Sequence, residues 1–247
     1  SSGVQIIDTN NNTIGGTANG AGNTIAYNGG DGVFVLFAQS GTGNAILGNQ
    51  IFSNAGLGID LNPNNVTPND PGDADTGANN LQNFPVLDRV MSAGASTSID
   101  GRLNSTPNTT FTLQFFSNAT PDPSGSGEGQ TLLGSSTVMT DNSGDANFSI
   151  PLPVALPPGH VVTATATDAG NNTSEFSVAV APQTTTPDIN VLDFTTVGLG
   201  ALDQFQITYE ISGSDMPPFA FAFYTSNDAR FDFVDSQRGS AVQIIGP

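Results

Sequence analysis

Ile25-Ala26-Tyr27-Asn28, followed by Gly32-Val33-Phe34-Val35, is answered later in the chain by Ile51-Phe52-Ser53-Asn54 and Gly58-Ile59-Asp60-Leu61. Ile25/Ile51, Asn28/Asn54, Gly32/Gly58, Val33/Ile59 and Val35/Leu61 share one offset of 26 residues. A second pattern, Asn-x-Ile, recurs at Asn12-Thr13-Ile14, Asn23-Thr24-Ile25 and Asn44-Ala45-Ile46. Very short strands closed by Gly or Asn and repeating at roughly 20–30 residues predict a solenoid, because each repeat buries its apolar side chains only against the next one. Ile and Val are expected to stack from coil to coil inside. Asn is expected at the corners, where it tolerates left-handed backbone and forms ladders through its amide.

Beyond this first segment, residues 1–84, the period changes. Over residues 85–181 the stretches "TSIDGRL", "TTFTLQFFSN", "QTLLGSSTV", "ANFSIPL" and "HVVTATATD" alternate apolar and polar residues with turn residues between them. That spacing predicts an antiparallel sandwich, with Phe111, Leu113, Phe115, Val162, Ala164 and Ala166 as alternating core positions. Residues 182–187, "PQTTTP", read as a short extended linker. Residues 188–247 open another β module with "DINVLDFTTV", "DQFQITYEISG" and "FAFAFYTS". A complete sandwich takes on the order of 100 residues, so this last module reads as partial. The expected fold is therefore all-β: a short right-handed parallel β-helix, an Ig-like β-sandwich, and a second, incomplete β-sandwich that a neighbouring subunit could complete.

The resemblance supports the same order. The strings "NNTIGGTANGAGNTIAYNGGDGV" and "GNQIFSNAGLGIDLNPNNVTPNDPGDADTGANNLQNFPVL" resemble the right-handed parallel β-helix repeats of large bacterial surface proteins. "VTATATDAGNNTSEFSVAV" is similar to the bacterial Ig-like modules that follow such helices, although the antibody-type Cys pair and core Trp are absent. The last segment looks like the start of an adhesion-type β-sandwich. Together these resemblances imply a secreted protein, extracellular or on a cell surface, with a structural or adhesive role.

Composition narrows the chemistry. Among 247 residues, 22 are Asp or Glu and four are basic, for a formal charge of −18. Nucleic acid and anionic membrane both need basic patches, so neither is expected as a partner. No apolar run approaches the roughly 18 residues of a membrane-spanning helix, and no membrane insertion is expected. Cysteine is absent, which removes disulfides and thiolate metal sites. Lysine is absent too, and the four basic residues are Arg89, Arg102, Arg230 and Arg238, none of them inside the repeats. The single histidine, His160, has no partner at triad or metal spacing, and no G-x-S-x-G occurs. The reading is that the chain is not an enzyme.

Acidic side chains suit hard cations. The densest group runs from Asn69 to Asn80, "NDPGDADTGANN", where D-x-D-x-G places carboxylates two residues apart beside a glycine. Calcium is the candidate cofactor. Asp73 and Asp75 are the first ligands, Asp70 and Asn80 the next, and Asp60 a more distant one. The loop resembles thrombospondin type-3 and EF-hand loops, but lacks the Glu that closes an EF-hand. The competing reading is an exposed loop that seals the helix end. A second acidic set, Asp122, Glu128, Asp141, Asp145, Asp168 and Glu175, reads as solvated turn residues of the sandwich.

Finally, the two ends of the sequence match. Ser2-Gly3-Val4-Gln5-Ile6-Ile7 and Ser240-Ala241-Val242-Gln243-Ile244-Ile245 agree at five of six positions. An open first coil and a last module short of strands would satisfy each other if Val4 and Ile6 of one subunit met Val242 and Ile244 of the next. Such contacts build a homo-oligomer or a head-to-tail filament by β-strand addition. The alternative class is a carbohydrate-binding module or a reduced β-helix enzyme acting on polysaccharide. Tyr27, Tyr209 and Tyr224 are the only tyrosines, and there is no Trp to form a sugar platform.

Overall fold

The computed structural model describes residues 1–36, 41–61 and 66–183 throughout, and beyond them the backbone of the strands named below. The chain divides into two compact units, Ser1–Gln183 and Thr184–Pro247. Helix is almost absent among the described residues, and the all-β class holds.

The first unit opens with seven short strands: β1 (Val4–Ile7), β2 (Thr13–Gly15), β3 (Thr24–Ala26), β4 (Val33–Leu36), β5 (Ala45–Leu47), β6 (Gln50–Phe52) and β7 (Ile59–Asp60). They stack as three parallel faces, β1-β4-β7, β2-β5 and β3-β6. The repeat read from the sequence is the physical register: Ile25 lies on Ile51 and Val33 on Ile59. β1 and β4 pair at a longer offset, Val4 on Val33, and β2 and β5 at a longer one still, Thr13 on Ala45. The extra residues go into the turns. Inside, Ile6, Ile25, Val33, Val35, Ile46, Ile51, Ile59 and Leu61 form one buried column.

The corners differ in one detail from expectation. Left-handed backbone falls on the residue before every corner asparagine but Asn23: Asn11, Tyr27 and Ser53, with Gly43 and Gly48 doing the same for Asn44 and Asn49. A left-handed residue turns the chain sharply, and the asparagine that follows is free to direct its amide along the stack.

The sandwich comprises β8 (Val86–Ala93), β9 (Ser96–Asn104), β10 (Thr110–Asn118), β11 (Thr131–Met139), β12 (Asp145–Leu152) and β13 (Val161–Thr167). Its two antiparallel sheets are ordered β12-β9-β8 and β11-β10-β13. All six alternating core positions, Phe111, Leu113, Phe115, Val162, Ala164 and Ala166, are fully buried. They pack against Ile99, Leu103, Phe148 and Ile150 of the facing sheet. The change of pattern at residues 84/85 does not separate two compact bodies. Phe116 and Phe176 of the sandwich segment join the β-helix column, their rings meeting edge to face at 5.3 Å.

In the second unit, β14 (Asp188–Val197) and β15 (Gln204–Ser212) form an antiparallel hairpin. β16 (Phe219–Phe221) pairs with β19 (Val242–Ile244), and β17 (Tyr224–Thr225) pairs with β18 (Ser236–Gln237). Val242 and Ile244 thus lie in a strand, while Ser240, Ala241 and Ile245 fall outside the described residues.

Candidate functional site

The ladders of the β-helix follow one rule. Each corner asparagine accepts, at Oδ1, the backbone N–H and the amide N–H of the asparagine one rung earlier. Asn54 accepts both from Asn28, at 3.2 and 2.8 Å. Asn49 accepts both from Asn23, each at 3.0 Å. Asn44 accepts both from Asn12, at 3.1 and 2.8 Å.

At the last rung this rule continues into residues that lie outside the coil. Glu128 takes the place of the next asparagine: its Oε1 accepts the backbone N–H and the amide N–H of Asn54, each at 2.9 Å. Its Oε2 accepts the N–H of Ser53. Asn79, in the 3-10 turn Ala78–Leu81, accepts the N–H of Asn44 at 3.0 Å. Gln114 accepts the N–H of Gly48 at 2.9 Å. Asn172 and Thr173 accept those of Gly43 and Ile46, and Glu175 those of Leu61 and Thr67.

Packing repeats the substitution. A Cβ on Gly32 would lie 2.5 Å from Ile51 and 3.1 Å from the Asn54 amide. On Gly58 it would lie 2.8 Å from the Phe176 ring and 3.2 Å from Glu128 Cα. Phe176 and Glu128 therefore stand where a further coil would place its Ile and Asn. The sandwich ends the β-helix by imitating its next rung.

Glu128 and Glu175, read from sequence as solvated turn residues, are both buried in this junction. Burial pushes Glu175 up to about 7 against the pull of the Leu61 and Thr67 N–H groups. Glu128 is also raised by burial, against the Asn54 donors. Nothing in the local sequence marks them, because their donors lie some 75 and 114 residues away. Of the rest of that acidic set, Asp122 caps Ser124, Asp141 caps Ser143 and Asp168 holds Asn172 within turns, while Asp145 accepts the Asn104 amide across the β9–β12 pair.

The acidic loop lies beside the sandwich end. Asp70, Asp73 and Asp75 each present a carboxylate oxygen, all within 4.8 Å of one another, an arrangement able to hold a metal ion. Asp73, at φ 56°, follows Gly72 at φ 73° in a tight turn. It is tied down by Ser105, whose hydroxyl donates to Oδ2 at 2.5 Å, and by the Asn83 N–H on Oδ1 at 3.0 Å. Asp70 Oδ2 accepts the Ala74 N–H. Asp70 Oδ1 and Asp75 Oδ1 are shielded from solvent and have no hydrogen-bond donor. Buried oxygen without a donor is costly, and a cation would satisfy it. Burial pushes Asp73 up to about 6, with the Asp75 and Asp70 charges adding to it. Asp75 is raised by burial and by Asp70.

Of the other candidates, Asn80 is exposed on the 3-10 turn and its N–H donates to Gly77. Asp60 is buried in β7, near Glu175 rather than in the aspartate cluster. Val4 is half-buried and Ile6 buried in β1, the outermost strand of its face.

The first-rung end is not finished in the same way. Among the described residues no N–H reaches Oδ1 of Asn12, Asn23 or Asn28, while their own amides donate to the second rung. A cavity of about 480 Å³ opens there, lined by residues including Val4, Ile14, Ile25 and Asn28. Comparison with protein-family models gives no match, and no curated protein matches the chain.

Proposed function

We propose that the chain is an extracellular structural or adhesive protein of a cell surface, associating with itself through its own ends and stabilised by calcium beside the sandwich. The observation that carries the reading is that Val242-Gln243-Ile244 repeats Val4-Gln5-Ile6 and that both segments are β-strands. A strand of one copy that adds to a sheet of another in place of its like makes a head-to-tail contact, which extends into a filament unless the rotation closes a ring. Calcium is favoured because the cluster offers only oxygen, two of its oxygens lack donors, and loop carbonyls and water can complete a shell of about six to eight.

Electron microscopy and sedimentation of the full chain in calcium test the reading. Regular fibres with one subunit per repeat support it, and monodisperse monomers at every concentration overturn it. Carbohydrate binding is the second reading. It is favoured by an open polar groove of about 640 Å³ beside Asp70, lined by Arg102, Asn104, Asp141 and Asp145. No aromatic ring lines that groove, which places this reading behind the first. Specific retention on a glycan array would reverse the order.

A further inference from the structure

We infer that Asn19 is a site of spontaneous deamidation in the folded chain, with water as the only co-reactant, and that the asparagine ladder shields Asn28 from the same reaction. The reaction is independent of the self-association proposed above. Asn-Gly occurs twice in the sequence, at Asn19-Gly20 and at Asn28-Gly29. The chemistry open to both is the same. The glycine nitrogen attacks the asparagine Cγ, and the new N–C bond closes a succinimide ring. The side-chain nitrogen leaves as ammonia with the proton that the glycine gave up. Water then opens the ring at either carbonyl, which leaves aspartate or isoaspartate and one more negative charge. Glycine favours the attack because no Cβ crowds its nitrogen.

The surroundings of the two steps differ. Between β2 and β3 the chain makes an excursion over residues 16–23, where the next coil passes from β5 to β6 through Gly48 and Asn49 alone. Both ends of the excursion are pinned to that coil. The Gly16 N–H donates to the Leu47 carbonyl at 2.7 Å, and the Asn23 N–H to Asn49 Oδ1 at 3.0 Å. Its tip is a β-turn, Ala18–Ala21, closed by the Ala21 N–H on the Ala18 carbonyl at 3.0 Å. Gly20, at φ 79°, takes the glycine position of a type II turn. That closing bond uses neither the Gly20 N–H nor the Asn19 amide. Both residues are exposed, and a Cβ built on Gly20 would meet nothing within 4 Å. Asn19 can therefore bring its Cγ onto the Gly20 nitrogen while the coil stays folded.

Asn28 is held. Its amide N–H donates to Asn54 Oδ1 at 2.8 Å and its backbone N–H to the same oxygen at 3.2 Å, while its carbonyl accepts the Ala55 N–H at 2.9 Å. The amide must leave Asn54 before Cγ can swing to the Gly29 nitrogen, and the backbone bonds on either side resist the opening that the swing needs. Together they should slow the reaction at least about tenfold relative to Asn19. The ladder also has more to lose here, because the product carboxylate would oppose Asn54 Oδ1 with no N–H between them. Asn142-Ser143, also exposed, is guarded in another way: the Ser143 N–H is engaged by Asp141 Oδ1 at 2.7 Å.

The two steps act as each other's control in one experiment. Full-length protein is aged in neutral buffer, one portion native and one unfolded in urea, and samples are digested under mildly acidic conditions that preserve the products. Peptide mass spectrometry then reads the conversion of Asn19 and Asn28 in the same digest. The expected result is that Asn19 converts at least about tenfold faster than Asn28 in the native protein, and that the two rates converge in urea. Asn28 keeping pace with Asn19 in the native protein overturns the inference, as does an Asn19 that converts in urea but stays amide when folded. Thermal midpoints of full-length Asn19→Asp and Asn28→Asp give a second reading. The first should match the parent and the second should fall below it, while equal midpoints would overturn the protective role of the ladder.

Discussion

Glu128→Ala would remove the imitation rung at its centre. Three donors lose their acceptor: the Asn54 N–H, the Asn54 amide and the Ser53 N–H. Asn54 is buried and Ser53 exposed, so two of the three cannot turn to water. At about 1–3 kcal/mol for each buried orphan, the gross cost is about 2–6 kcal/mol. Part of that is offset, because the variant no longer carries a carboxylate whose ionised form burial disfavours. A net loss of about 2–4 kcal/mol follows for the first unit, or several degrees in midpoint at roughly 2–4 °C per kcal/mol for a domain of this size. Glu128→Gln keeps an acceptor for Asn54, the same amide oxygen that Asn54 offers Asn28. It turns an NH₂ toward the Ser53 N–H, and should cost only about 1–2 kcal/mol. Urea unfolding of both variants, with slopes equal to the parent's, gives the comparison. If Glu128→Ala lies within about 0.5 kcal/mol of the parent, or Gln costs more than Ala, the rung-substitution reasoning is wrong.

Calcium should raise the thermal midpoint of the parent, EDTA should reverse it, and Asp73→Asn should abolish the response while leaving the calcium-free fold intact; an unchanged parent midpoint removes calcium. Glu175 is lifted from 4.5 to about 7, so across that window the folded chain keeps a proton that the unfolded chain releases. Its contribution is complete below about pH 4.5 and lost as pH rises through 7, so in EDTA stability should fall between about pH 5 and pH 8. Glu175→Gln should flatten that slope, and an equal slope in both proteins would contradict the burial argument. Gly32→Ala forces a Cβ to within 2.6 Å of the Gly58 carbonyl oxygen and 2.5 Å of Ile51. It should cost about 1–3 kcal/mol by calorimetry, and a neutral result would mean that the rungs are not held at this spacing.

Local features of the fold were legible wherever one residue type reported one environment. Ile25 and Ile51 announce the stack because each repeat places an identical apolar group at the same step. Phe111, Leu113 and Phe115 announce the sandwich because a strand alternates faces. β8 escaped that rule. Its register shifts between Leu87 and Arg89, and the bulge breaks the period on which recognition depends. The aspartate cluster was visible because its three members lie within six residues of one another. Glu128 and Glu175 were not. Their burial is decided by contacts far along the chain, and a glutamate in a Gly/Ser loop looks solvated until the coil it covers is in place. Left-handed backbone at Tyr27 and Ser53 was also hidden, since neither residue type favours it.

If the sandwich is the last rung of the β-helix, the two cannot unfold separately. Native-state hydrogen exchange measures this most directly. The backbone amides of Asn44, Asn54 and Leu61, which donate to Asn79, Glu128 and Glu175, should open with the same free energy as the Phe115 amide in the sandwich core. Opening of the coil amides at markedly lower free energy, with the sandwich still protected, would contradict a shared terminal rung.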